Sequence, residues 1–99
     1  MEDDLFKVQW TRRAKKKLKK VIAEIAKDAP LRAVEFSRRL LDAAALLRWS
    51  PHRCPRTKEN PAHRHLIFKK YRIIFRIDED KHIVWINTIL FPYQQYKLR

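Results

Sequence analysis

HLIFKKYRIIFRIDEDKHIVWINTIL, residues 65–90, carries the strongest signal for the architecture of this chain. It contains three runs rich in aliphatic and aromatic residues, separated by short polar segments: His65–Phe68, Tyr71–Ile77 and Ile83–Leu90. Runs of this length and composition, bounded by polar turns, predict β-strands. Because the connections are short, consecutive strands should pair as hairpins. The stretch therefore predicts a three-stranded antiparallel unit.

The middle run gives the two faces of this unit different chemistry. Ile73 and Phe75 fall on one face and Arg72 and Arg76 on the other, since successive side chains of a strand point to opposite sides. The apolar face can pack against helices. The two arginines would then be displayed together on the opposite face of a rigid sheet.

The turn between the first two strands, Lys69-Lys70, lacks the residue that such turns favour. The chain contains no glycine, although two-residue hairpin turns commonly need positive φ angles that glycine adopts without strain. Either this turn is longer than two residues or it carries local strain.

Working outward toward the N-terminus, the sequence predicts one strand and a helical hairpin. Phe6, Val8 and Trp10 alternate with polar residues, as in a half-buried strand, and Thr11 can cap the helix that follows. A second helix should begin near Pro30, since proline suits the first helical turn. Its expected apolar face comprises Ala33, Phe36, Leu40, Ala43, Ala44 and Leu47. We predict a single α+β domain, residues 1–99, with the helical hairpin packed on a small antiparallel sheet.

Composition restricts the classes of partner. The chain has 99 residues and a formal net charge of +13, which favours association with a polyanion. Cys54 is the only cysteine, and no apolar segment approaches the roughly 20 residues of a membrane span. We therefore expect a cytoplasmic protein that has no membrane partner.

Metal and cofactor chemistry has little support in the sequence. Asp78, Glu79 and Asp80 fall in an expected hairpin tip, where carboxylates are usually solvated turn residues. The pairs His52/Cys54 and His63/His65 have a spacing of two, which is not a strong zinc signature. We expect no metal site and no cofactor.

Cations and aromatic residues converge on the last third of the chain, which is typical of single-stranded RNA binding. The candidate nucleic-acid-binding residues are Arg64, His65, Lys69, Lys70, Arg76 and Lys97. RNA supplies its own nucleophile, the 2′-hydroxyl, so cleavage requires a base, an acid and positive charge at the phosphate. Arg72 is the candidate phosphate stabiliser, and Tyr93 or Tyr96 could exchange a proton or stack on a base.

The order of these motifs resembles the RelE/ParE superfamily of toxins from type II toxin–antitoxin pairs. The resemblance covers nearly the whole chain and is carried by Val8-Gln9-Trp10-Thr11 with Ala14 and Leu18, by 33–36, by Ser50-Pro51, by Arg64-His65-Leu66 and by 71–77. It implies a β-α-α-β-β-β fold and a cognate antitoxin, which we expect to be acidic. RelE-like members cut messenger RNA on the ribosome, whereas ParE-like members poison DNA gyrase.

Three hypotheses follow from the sequence. The leading one is a toxin that binds the ribosome and mRNA and promotes cleavage through Arg72, as a metal-independent endoribonuclease. The second is a ParE-like inhibitor of DNA gyrase without catalytic activity. It is favoured by the sequence after the last strand, Ile89-Leu90-Phe91-Pro92, where RNA-cutting members commonly carry another Arg or His. The third is a basic nucleic-acid-binding module without toxicity.

Overall fold

Two helices cover one face of a four-stranded sheet in the computed structural model, which describes residues 5–94. The elements, in chain order, are β1 (Lys7–Trp10), α1 (Arg12–Ala26), α2 (Pro30–Ala45), β2 (Arg64–Phe68), β3 (Tyr71–Asp78) and β4 (Ile83–Leu90). The predicted α+β class and element order are confirmed. No helix within this described part of the chain is long and apolar enough to cross a membrane.

The sheet has the strand order β1-β4-β3-β2. β2, β3 and β4 form consecutive antiparallel hairpins, as predicted, and Phe68 pairs with Tyr71 beside the first turn. β1 joins β4 in parallel, with Trp10 opposite Ile86. The sheet is therefore mixed rather than wholly antiparallel. β1 and β2 begin at the same end of the sheet, because the helical hairpin returns the chain to the end where β1 began.

The predicted helix boundaries are confirmed. Thr11 accepts a hydrogen bond from the Ala14 backbone N–H at its side-chain oxygen (3.1 Å), which caps α1. Pro30 is the first residue of α2, where its missing N–H is not needed. Leu40 and Phe36 of α2 are buried against the sheet, and Ala43 is only partly buried.

An irregularity in β4 allows both ends of that strand to contribute to the core. Ile74 pairs with Thr88 but the next residue, Phe75, pairs with Ile86, so one extra residue is inserted in β4. Val84 and Ile86 lie in the main core before this bulge, and Ile89 and Phe91 lie in it afterwards. The alternation shifts by one residue, and Thr88 and Leu90 consequently point away from the helices.

The Lys69-Lys70 turn has two residues and both adopt positive φ, 47° and 72°. This conformation matches the twist of the paired strands, but it brings the β-carbon of a residue other than glycine close to backbone atoms. Of the two alternatives left open by the sequence, local strain is therefore the correct one.

Candidate functional site

The open face of the sheet is the face opposite the helices, and Arg72, Ile74 and Arg76 of β3 point to it. Ile73 and Phe75 belong to the main core, whereas Ile74 and Leu90 form a separate small cluster. The strand alternation of β3 was therefore predicted correctly from the sequence. Thr88 and Leu90 reach the open face because of the bulge in β4.

Arg72 does not stand free on this face. Its two terminal nitrogens contact the two carboxylate oxygens of Glu59, each at 3.3 Å, in a bidentate pair. Its Nε and Nη2 also contact His65 Nδ1 at 3.2 and 2.9 Å. We call these three residues the Arg72 cluster. Arg72 is 21% exposed and Glu59 31% exposed, so the pair is partly shielded from water.

Protonation in the Arg72 cluster follows from these contacts. Hydrogen bonds from Arg72 and from a backbone N–H lower the pKa of Glu59, which keeps the carboxylate ionised. Burial, followed by the charge of Arg72, lowers the pKa of His65 against the smaller opposing effect of Glu59. His65 is therefore neutral near pH 7, with Nδ1 accepting from the guanidinium.

The structure separates the remaining basic residues of the predicted site. Arg64 donates to the backbone oxygens of His52 (3.1 Å) and Cys54 (2.7 Å), so it anchors the preceding loop. Lys69 and Lys70 form the hairpin turn. Arg76 is exposed on the open face, with its guanidinium carbon 6.0 Å from the centre of the Trp85 ring. Of the predicted binding residues that the structure describes, only His65 makes a side-chain hydrogen bond with Arg72.

Tyr93 lies on the other side of the sheet from Arg72. The residue is 81% exposed, and its ring stacks on the core residue Phe91, with ring centres 5.5 Å apart. Phe91 in turn contacts Tyr71, on the helix side of β3. The predicted phosphate stabiliser and the predicted proton donor are therefore not brought together. Tyr96 and Lys97 lie outside the described residues, and the roles assigned to all of these residues remain predictions.

A second basic region lies between α1 and the end of β4, which we call the cationic cleft. It has a volume of about 480 Å³ and is lined by Arg12, Arg13, Lys16, Lys17, Lys20, Thr88, Leu90 and Gln94. A smaller cleft of about 260 Å³ adjoins it, sharing Lys17, Lys20 and Gln94 and adding Glu24, Phe91 and Tyr93. Burial, followed by the charges of Lys20 and Arg13, lowers the pKa of Lys17, which lines both clefts.

Two parts of this arrangement were not identified from the sequence. Glu59 is the only acid between Ala43 and Ile77, and a single carboxylate in so basic a stretch should find a cation. The contact of Glu59 with an arginine could therefore have been anticipated from the sequence. The cationic cleft was not predictable in the same way, since it depends on the bulge that brings Thr88 and Leu90 to the open face, where they line the cleft together with the cations of α1.

Comparisons with known proteins agree with this geometry. The family described as ParE toxin of type II toxin-antitoxin system, parDE, matches residues 8–91. The chromosomal ParDE toxin–antitoxin system from P. aeruginosa has a similar structure, with a TM-score of 0.76 at 19% identity over 87% of this chain and 95% of that one. The toxin–antitoxin complex RelBE2 from Mycobacterium tuberculosis gives 0.57 at 24% identity, over 86% and 95%. No curated protein matches the sequence.

Proposed function

The chain belongs to the ParE toxin family of type II toxin–antitoxin systems, and on that premise we propose that it arrests growth by binding DNA gyrase in the cytoplasm. On this proposal the protein is an inhibitor without a catalytic site of its own. Family membership also sets aside the third hypothesis, a basic module without toxicity.

The observation that carries this proposal is the bidentate pair between Arg72 and Glu59. A phosphate stabiliser must present donors to the charge that develops on the reacting phosphate. Here both terminal nitrogens of Arg72 already face a carboxylate, and His65 Nδ1 takes a further donor. A phosphate approaching Arg72 would meet the negative charge of Glu59. This arrangement is better suited to holding the loop on the sheet than to catalysis.

The test is a supercoiling assay with purified gyrase, relaxed plasmid and the full chain freed from its antitoxin. We expect loss of supercoiling at toxin concentrations comparable with the enzyme concentration. The Arg72→Gln variant, provided that it is folded, should inhibit as well as the natural protein. Unimpaired supercoiling by gyrase, together with rapid arrest of amino-acid incorporation in cells, would contradict the proposal.

Messenger RNA cleavage is the second candidate, because the Arg72 cluster places a carboxylate, an imidazole and a guanidinium in contact. Glu59 could take the proton of a 2′-hydroxyl as its oxygen attacks phosphorus, and the departing 5′-oxygen would need a proton in return. His65 is a poor donor, because its lowered pKa leaves the ring neutral. The lack of a proton donor weakens mRNA cleavage as a candidate, but the roles of Glu59, His65 and Arg72 can be tested by substitution.

The Glu59→Gln variant separates the two candidates. The substituted amide would retain the size of the side chain but could not accept a proton as a general base. Cleavage should fall by at least about 100-fold in the absence of that base, and toxicity would fall with it. Gyrase inhibition requires no base, so toxicity should persist. The Glu79→Gln variant is the matched control, since Glu79 also contacts a histidine, His52 (2.6 Å), and lies outside the Arg72 cluster and both clefts.

An acidic antitoxin is the partner that the surface favours. α2 exposes Leu31, Val34 and Leu41, which are 86%, 68% and 42% exposed and share one side of the helix. An apolar stripe beside a strongly basic surface suits a partner segment that is both amphipathic and acidic. Replacing Leu31 and Val34 by Ser should weaken the complex at least tenfold in a titration with the antitoxin. Equal affinity would place the antitoxin elsewhere.

A further inference from the structure

The cationic cleft gathers five cations that have no carboxylate partner among the described residues. Within residues 5–94, none of the five cleft cations Arg12, Arg13, Lys16, Lys17 and Lys20 forms an ion pair. In the same range, the side-chain hydrogen bond among them joins Lys17 Nζ to the Gln94 side-chain oxygen at 2.9 Å. By contrast, Arg38 and Arg39 of α2 are both paired with Glu35.

The backbone of α1 adds to the positive potential of the cleft. The first turn of α1 contains no acidic residue and begins with Arg12 and Arg13, although the N-terminus of a helix favours negative charge. The same cleft therefore holds five unpaired cations beside a positive helix end. An anion bound there would offset both contributions to the positive potential. The pKa of Lys17 is lowered mainly by burial, and the charges of Lys20 and Arg13 add to this effect.

The adjoining smaller cleft supplies an aromatic surface. Tyr93 stacks on Phe91, so one face of an 81% exposed ring is held in place while much of the side chain remains in solvent. Gln94 fixes this segment to α1, because its side-chain oxygen accepts from Lys17 and from the Phe91 backbone N–H (3.2 Å). These bonds place the ring beside the cations of α1.

From this juxtaposition we propose that the cationic cleft and Tyr93 form a binding site for single-stranded nucleic acid, with phosphates in the cleft and a base stacked on Tyr93. From Arg12 to Lys20, α1 spans about 12 Å, enough for several phosphates. Double-stranded DNA could place its phosphates only at the edge of the cleft, since its bases are stacked on one another and cannot stack on the Tyr93 ring. The proposal does not depend on which cellular target the toxin inhibits.

The test compares two double variants that carry the same change in net charge. Lys16→Gln with Lys20→Gln removes two cleft cations, whereas Lys15→Gln with Lys19→Gln removes two cations of the same helix that do not line the cleft. Binding of a labelled 12-nucleotide oligothymidine to the full chain would be followed by fluorescence anisotropy at several salt concentrations.

We expect the cleft variant to flatten the log–log salt dependence by about 1.4, since each phosphate contact on a single strand contributes about 0.7. This corresponds to roughly a 25-fold loss of affinity at 0.1 M salt relative to a 1 M reference. The control variant should lose less than about threefold. Equal losses in the two variants would show that net charge alone attracts the strand, and the proposal would be overturned.

Tyr93 provides the second arm. Tyr93→Ala should weaken single-strand binding by about 5- to 150-fold, the range for one base–aromatic stack, whereas Tyr93→Phe should bind normally. The binding of a duplex of the same length should be unaffected by Tyr93→Ala.

Polyglutamate is the probe for an acidic protein as the ligand of the cleft. If it binds as tightly as the oligonucleotide and responds equally to the cleft variant, the cleft is a general acid-binding surface and the proposal fails.

Discussion

The Arg72 cluster and the cationic cleft are both rich in positive charge, but they differ in how that charge is neutralised. Arg72 faces Glu59 and His65 within hydrogen-bonding distance, and all three side chains come from the chain itself. The cleft cations of α1 have no carboxylate partner within residues 5–94. The positive charge of the Arg72 cluster is neutralised by a carboxylate of the chain itself, whereas the charge of the cationic cleft can be neutralised only by an anion from outside.

This difference shows why net charge is a poor guide to a binding site. A cation paired with an internal carboxylate contributes to the fold and resists a competing phosphate. A cation without a partner raises the local potential and attracts polyanions until one binds. The distinction between paired and unpaired cations can be tested by substitution and by changes of pH.

Removing Arg72 should destabilise the fold more than removing any cleft cation. Arg72→Ala leaves the Glu59 carboxylate and His65 Nδ1 without their donor, and we expect a loss of about 2 kcal/mol in the free energy of unfolding. Lys16→Ala should change it by less than about 0.5 kcal/mol, because Lys16 is exposed on a helix. Urea denaturation measures both. Equal losses would remove the basis of the comparison.

Lys69 and Lys70 of the hairpin turn are a third group of cations. They destabilise the fold through their positive φ angles rather than through their charge. Replacing Lys69 by Asn and Lys70 by Gly should raise the free energy of unfolding by about 1 kcal/mol, because Asn and Gly adopt positive φ more readily. Oligonucleotide binding should stay within about threefold of the natural protein. A loss of stability would show that the lysine side chains, rather than the φ angles, determine the turn.

Acid should weaken the Arg72 cluster selectively, though by less than the loss of Arg72. The folded state lowers the pKa of both Glu59 and His65. Each group therefore stabilises the fold above its unfolded pKa, about 4.3 for Glu and 6.5 for His, and this contribution is lost as the pH falls through the folded value. Stability measured from about pH 7.5 to 4 should decline more steeply in the natural protein than in a variant with Glu59→Gln and His65→Gln. Parallel curves would contradict the assignment.

In alkaline solution the free energy of unfolding should depend on Lys17 of the cleft, and we expect this change to be smaller than those above. The folded state lowers the pKa of Lys17, so charged Lys17 destabilises the fold below this pKa and the penalty disappears as the pH rises toward the unfolded value of about 10.4. Between about pH 8.5 and 10.5 the natural protein should therefore gain stability relative to Lys17→Gln. A relative loss in that range would mean that an unrecognised anion neutralises the cleft.

Local patterns were sufficient to predict most of the fold. The helix boundaries at Thr11 and Pro30 depend on capping and proline geometry, which act within one turn. The alternation of Arg72 and Ile73 depends only on strand periodicity. The parallel pairing of β1 with β4 could not be derived in this way, because it joins residues near opposite ends of the chain.

The candidate site was less predictable, because its residues meet through long-range packing. Arg72 was identified from its strand, but Glu59 reaches it from a loop without regular periodicity. Tyr93 was expected near Arg72 and lies on the other side of the sheet, because the bulge in β4 shifts the alternation that would otherwise orient the strand end. A one-residue insertion of this kind leaves no distinct signal in the sequence.

The most direct test is oligothymidine binding at 0.1 M salt by two folded variants of the full chain, Arg72→Gln and the double variant Lys16→Gln with Lys20→Gln. We predict that the Arg72 variant binds within about threefold of the natural chain, whereas the cleft variant binds about 25-fold more weakly. A large loss of affinity in the Arg72 variant, with normal binding by the cleft variant, would contradict the distinction between the two regions.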